Sequence, residues 1–173
     1  MATTVIVVMG VSGCGKTTIA ALLAARLGWR LAEGDAFHSP ENVAKMRRGI
    51  PLTDADREPW LDAIAAWIDE VRAAGSRGIV TCSALRRRYR ERLSRGRDDV
   101  RFVYLRGDYA LVAARLAART HEYMPPSLLA SQFATLEEPG PDEDPIVVPI
   151  DMAPEAIVER VIACLGDDAA ARG

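Results

Sequence analysis

Gly10-Val11-Ser12-Gly13-Cys14-Gly15-Lys16-Thr17 has the spacing G-x-x-x-x-G-K-[ST], which suits one task, the cradling of a phosphate chain. Glycines let the backbone curl so that successive N–H groups converge on an anion. A helix starting near Lys16 adds its positive end. In such a P-loop Lys16 reaches the β- and γ-phosphates of a nucleotide, and the Thr17 hydroxyl is placed to ligate Mg²⁺. Thr18, on the same turn, joins the nucleotide-binding set, and Cys14 fills space. A second reactive group follows in Glu33-Gly34-Asp35. In an open parallel sheet, ligands sit beyond the carboxyl ends of the strands. There Asp35 is positioned to accept a proton from an attacking hydroxyl or to hold a magnesium-bound water; a turn or helix cap is the competing role.

These groups need a frame, and the residue pattern supplies one. Thr4–Met9 is a β-branched run typical of a parallel strand covered on both faces. Lys16–Leu27 places Ile19, Leu22, Leu23 and Leu27 on one helical face, with Gly28 as the stop. A short strand at Trp29–Glu33 precedes a helix capped by Ser39 with Pro40 at its first position. Thr53 or Asp54 caps the next helix, whose buried stripe is Trp60, Ile64, Trp67 and Val71. Then come a strand at Gly78–Cys82, a helix at Leu85–Arg95, a strand at Val100–Leu105 and a helix at Tyr109–Ala118. Thr120–Pro126 breaks the periodicity and is expected to be a mobile lid, about residues 119–127. A helix at Ser127–Leu136, a strand at Ile146–Ile150 and a helix at Pro154–Leu165 complete the chain. The alternation predicts a three-layer α/β domain over residues 1–173, a five-stranded parallel sheet with helices on both faces.

Composition narrows the partners. The chain has 173 residues, 24 acidic and 22 basic, for a net charge of −2. A nucleic-acid binder shows a basic excess, which is missing here. No apolar run is long enough to span a membrane, and the N-terminus lacks the basic region of a signal peptide, so a cytoplasmic location is expected. Cys14, Cys82 and Cys164 fit no metal or disulfide spacing and read as free thiols. The chain has no Asn-Lys-x-Asp base-reading motif, which disfavours a GTPase, and it is short for a motor or an AAA-type ATPase. Small-molecule kinases are the class left.

A wider set of segments then adds to the P-loop. They are Glu33-Gly34-Asp35-Ala36-Phe37-His38, Asn42–Met46, Gly49-Ile50-Pro51-Leu52-Thr53-Asp54-Ala55-Asp56-Arg57 with Pro59-Trp60-Leu61, Cys82-Ser83-Ala84-Leu85-Arg86 with Tyr89-Arg90, and Ser131-Gln132-Phe133 with Thr135-Leu136-Glu137. Together, from about Val5 to Ile162, they resemble the gluconokinases. The resemblance implies ATP-dependent phosphorylation of D-gluconate at its 6-hydroxyl, with Mg²⁺. It also implies a nucleoside-monophosphate-kinase-like P-loop fold related to shikimate kinase, and a homodimer. Gluconate carries one carboxylate and five hydroxyls, so its site needs cations at one end and hydrogen-bond partners elsewhere. His38, Lys45, Arg57, Arg86 and Arg90 are the donor candidates, Ser83 lies in a matching segment, and Asp54 and Asp56 are possible acceptors. Arg86 and Arg90, four apart, are expected to share a helix face and one anion. Lys16 and Lys45 are the only lysines among the 22 basic residues, which gives Lys45 weight. Arg115 and Arg119 precede the loop and are expected to neutralise charge in the transition state, one of them stacking instead on adenine. The Asp151–Pro154 turn is expected to wall the adenine.

Two positions depart from the pattern. Relatives usually carry Lys where Arg86 stands, and Gly-His-Phe where this chain has His121-Glu122-Tyr123, so no role is carried over to a lid histidine. Two alternatives stay open at this stage, a kinase for another small sugar acid or hydroxy acid, and a non-catalytic nucleotide-binding module.

Overall fold

The computed structural model describes residues 2–118 and 126–170. Five strands, β1 (Val5–Met9), β2 (Arg30–Glu33), β3 (Gly78–Thr81), β4 (Val100–Arg106) and β5 (Ile146–Pro149), form one sheet in the order β2-β3-β1-β4-β5. Every pairing is parallel, with Val5 opposite both Gly78 and Val100. β1 is central, and all five of its residues are buried. Side chains alternate across a strand, so Val5, Val7 and Met9 enter one core and Ile6 and Val8 the other.

The helices are α1 (Lys16–Leu27), α2 (Pro40–Arg47), α3 (Asp54–Ala73), α4 (Arg87–Ser94), α5 (Tyr109–Ala117), α6 (Pro126–Thr135) and α7 (Pro154–Ala170). One face of the sheet is covered by apolar residues of α1, α5, α6 and α7, among them Ile19, Val112, Leu129 and Val161. The other is covered by α3 and α4 through Trp60, Ile64, Ile68, Tyr89 and Leu93. The three-layer arrangement expected from the alternation of strands and helices is therefore present. β3 and β4 flank β1 on opposite sides, which opens a crevice at the carboxyl ends of the central strands.

Local chemistry explains the helix starts. Ser39 Oγ accepts the Asn42 N–H at 3.1 Å, with Pro40 at the first position. Thr53 and Asp56 form a reciprocal capping box, so Thr53 is the cap and Asp54 the first helical residue. Two expected boundaries move by more than one residue. The helix predicted from Leu85 begins at Arg87, because Ala84 takes a left-handed backbone (φ 46°) and Arg86 is extended as the N-cap. At the C-terminus, α7 runs past Leu165 across a non-helical Gly166. Trp67, expected in the buried stripe, is only half-buried, and Ile68 is buried beside it.

Candidate active site

The first turn of the site follows β1 directly. Gly10, Gly13 and Gly15 have φ of 143°, 84° and 101°, values that other residues rarely adopt. Gly10 N–H donates to the Ser83 carbonyl at 3.2 Å, tying the phosphate loop to the end of β3. Lys16 Nζ donates to the Gly10 and Val11 carbonyls at 2.9 and 3.0 Å, which holds the ammonium within the loop. Thr17 and Thr18 are exposed on the first turn of α1, and Cys14 is buried beneath the loop.

A second turn faces the first. After β2 a single 3-10 turn spans Gly34–Phe37 and carries Asp35 at its exposed side. Three contacts pin it. Gly34 N–H donates to Thr81 Oγ1 (3.0 Å), Trp60 Nε1 donates to the Gly34 carbonyl (2.8 Å), and His38 N–H donates to the Asp35 carbonyl (3.2 Å). A Cβ on Gly34 would lie 1.9 Å from the Thr81 carbonyl oxygen, so only glycine lets the two backbones approach this closely. Asp35 caps no helix.

Between the two turns lies a cavity of about 140 Å³, lined by Ser12, Lys16, Asp35, His38, Arg57 and Trp60, with Ser83 and Gln132 completing its polar wall. His38 stacks on Trp60 with centroids 4.2 Å apart and planes 12° apart. Burial holds the His38 imidazole below its usual pKa of 6.5; the nearby Asp35 carboxylate opposes that shift and the Arg57 charge reinforces it. His38 therefore enters the site neutral at pH 7. The Arg57 guanidinium donates to Tyr89 Oη at 3.0 Å and lies 4.0 Å from Asp54, while the Tyr89 hydroxyl in turn bonds Asp54. Those contacts fix the cation at the cavity wall. Asp54 supports Arg57, and Asp56 belongs to the capping box. Burial pushes the Cys82 thiol up to about 12, so it stays protonated.

Three expected donors are placed elsewhere. Arg90 is 1% exposed; its guanidinium donates to Glu143 at 2.7 and 3.2 Å and to the Ala84 carbonyl at 2.8 Å. The expectation that it shares an anion with Arg86 is corrected, since α4 starts after Arg86 and the two do not share a helix face. Arg86 stays outside the cavity, and its buried Nε has no partner among the described residues. Lys45 bonds both Asp56 oxygens at 3.1 and 2.9 Å, beside the cavity rather than in its wall. On the nucleotide side, Arg115 donates to the Ile150 carbonyl at 2.5 Å, next to the Asp151–Pro154 turn, where Pro154 is exposed. Of the expected lid, residues 119–125, including Arg119, His121 and Glu122, lie outside the described residues.

Two features escaped the sequence pattern. Glu33 Oε2 accepts from Thr81 Oγ1 at 2.6 Å and from Thr17 Oγ1 at 3.3 Å, which puts a carboxylate beside the hydroxyl expected to ligate a cation. Its signal was an acidic residue ending a strand next to Gly34. Gln132 of α6 accepts the Ser12 N–H at 2.7 Å and donates to Ser12 Oγ at 2.9 Å, a contact spanning 120 positions. Among the described residues no group of three or more His, Cys, Asp or Glu could hold a metal. The Thr17 hydroxyl and Glu33 carboxylate are instead the sparse oxygen set that suits a magnesium ion completed by phosphate oxygens and water. A larger cleft of about 590 Å³ between α3 and α4 contains no phosphate-loop residue.

Comparison with known proteins agrees with this architecture. A family model described as an AAA domain matches residues 5–139. The match runs from β1 through α6 and takes in the phosphate loop. A gluconokinase of Gluconobacter oxydans is 52% identical over 158 residues, covering 91% of this chain and 88% of the relative. The crystal structure of a gluconokinase from Sinorhizobium meliloti superposes with a TM-score of 0.86 at 41% identity, over 96% of this chain and 93% of that one. An unliganded sugar kinase from Janibacter sp. gives a TM-score of 0.91 at 51% identity, over 98% and 97% of the two chains.

Proposed function

The chain belongs to the gluconokinase family, and on that premise we propose that it transfers the γ-phosphoryl group of ATP to the 6-hydroxyl of D-gluconate, giving 6-phosphogluconate and ADP. The observation that carries this is one cavity walled by a phosphate-loop lysine, an exposed carboxylate and a fixed arginine, Lys16, Asp35 and Arg57.

The chemistry follows from those positions. The phosphate loop holds the triphosphate through its converging N–H groups, and Lys16 meets the β- and γ-phosphates. Asp35 accepts the proton of the 6-hydroxyl as the oxygen attacks phosphorus in line with the departing ADP oxygen. Arg57 meets the carboxylate of the sugar acid as a charge-assisted donor. Neutral His38 and the Ser83 hydroxyl meet substrate hydroxyls, each able to donate or accept. Mg²⁺ would be held by Thr17, with Glu33 and Asp35 nearby, and would neutralise charge on the β- and γ-phosphates. Arg115 and the turn before Pro154 border the adenine. Lys45, paired with Asp56, and Arg86, outside the cavity, are assigned no contact to the acid, and Arg119 stands as a further cation at the transferred phosphoryl group. The homodimer and the cytoplasmic location belong to the same proposal on family resemblance, and no described helix is long and apolar enough to cross a membrane.

ADP release measured with ATP and a panel of sugar acids and hydroxy acids tests the assignment. D-gluconate is expected to give the highest kcat/KM. A higher value for another acid, or no release above background, overturns it.

A further inference from the structure

The Ser12–Gln132 contact does more than join two elements. A glutamine amide offers one acceptor oxygen and two donor hydrogens. Here Oε1 takes the Ser12 backbone N–H, and Nε2 donates to Ser12 Oγ, at 2.7 and 2.9 Å. A serine hydroxyl that receives a hydrogen bond still has its own proton to give. Ser12 and Gln132 both line the cavity that contains Lys16 and Asp35, so that proton is available where the phosphate loop meets the acceptor pocket. Glutamate could accept from the N–H but could not donate to Oγ, and it would add negative charge beside a polyphosphate.

We infer that Gln132 is a positioning residue that fixes Ser12 as a hydrogen-bond donor to the phosphoryl group in transit, and that it couples α6 to the phosphate loop. The inference rests on the kinase assignment above for its substrate, but not for its geometry. α6 also supplies Leu128 and Ser131 to the cavity wall, and the Ser12 bond sets where the helix stands relative to the loop. A donor aimed at charge that develops during transfer acts on kcat rather than on ground-state affinity.

The test is a double-mutant cycle with Ser12→Ala, Gln132→Ala and the pair, with Gln132→Glu as the near-isosteric control. Each single alanine variant should lower kcat on the order of 100-fold. KM for the acid and nucleotide affinity should change little, and the double variant should be no worse than Ser12→Ala, because Gln132 acts through Ser12. Gln132→Glu should not rescue. A kcat near that of the unaltered protein, fully additive losses, or losses explained by a matching fall in Tm would overturn the inference. Amide hydrogen exchange with a nonhydrolysable ATP analogue separates this from failure of the substrate assignment, since it needs no acceptor. The analogue should protect α6 in the unaltered protein and not in Gln132→Ala; equal protection in both contradicts the coupling.

Discussion

At the scale of single residues, several polar groups of the cavity wall have a fixed partner on their far side. Arg57 is braced by Tyr89, Trp60 by the Gly34 carbonyl and Gln132 by Ser12. His38 is the group this framework makes sensitive to pH. Its folded pKa lies below the ordinary 6.5 because burial on Trp60 disfavours the cation. The unfolded chain therefore binds a proton first as pH falls, and the stability contributed by neutral His38 is intact above 6.5 and declines below it. Replacing His38 with Phe, which keeps the stack without titrating, should make Tm fall less between pH 7.5 and pH 5.5 than in the unaltered protein. Parallel curves would show that the imidazole is not held neutral. The residue types at the site were legible in the sequence because Gly-x-x-x-x-Gly-Lys-Thr and Gly34-Asp35 are local patterns. The Glu33 and Gln132 contacts were not, since they join residues 16, 48 and 120 positions apart with no local periodicity.

Among the elements, the short turn after β2 sets the geometry most tightly. The backbone of Gly34 lies against Thr81, and Asp35 and His38 leave from the same turn. Gly34→Ala would force the backbones apart. It should destabilise the fold by about 1–3 kcal/mol and lower kcat on the order of 100-fold, since a misplacement of about 1 Å at the reacting groups is that costly. Parallel measurement of Tm and kcat checks this, and unchanged kcat would mean that the turn does not position Asp35. Helix starts were readable where a side chain caps them, at Ser39 and Thr53. The start of α4 was misjudged because no cap residue announces it, and the left-handed Ala84 that delays it answers to the packing of the β3 end rather than to its own identity.

Across the whole molecule, two cores on opposite faces of the sheet hold β1, β2 and β3 side by side, so that Lys16, Asp35 and Ser83 leave from neighbouring carboxyl ends, while α3 brings Arg57 and α6 brings Gln132. The layered architecture was legible because a strand buried on both faces reads as a continuous β-branched run. The strand order was not, because connection lengths alone do not say on which side of β1 a strand adds. Arg90 belongs to this scale. Glu143 lies 53 positions away, and its carboxyl is pushed up by burial but held lower overall by hydrogen bonds from Arg90 and the Gly140 N–H. Arg90→Ala leaves the partly buried Glu143 carboxylate and the Ala84 carbonyl without their donor and should cost about 1–3 kcal/mol of stability, seen as a fall in Tm. KM for gluconate should stay close to normal in whatever fraction remains folded; a raised KM with Tm unchanged would return Arg90 to the substrate.

The most direct test of the account is Asp35→Asn, which keeps the shape of the turn and removes its proton acceptor. kcat for gluconate phosphorylation should fall by about 100- to 10,000-fold while nucleotide binding, measured by calorimetry, stays near that of the unaltered protein. A kcat that survives the substitution would contradict it, because another group would then be taking the proton of the attacking hydroxyl.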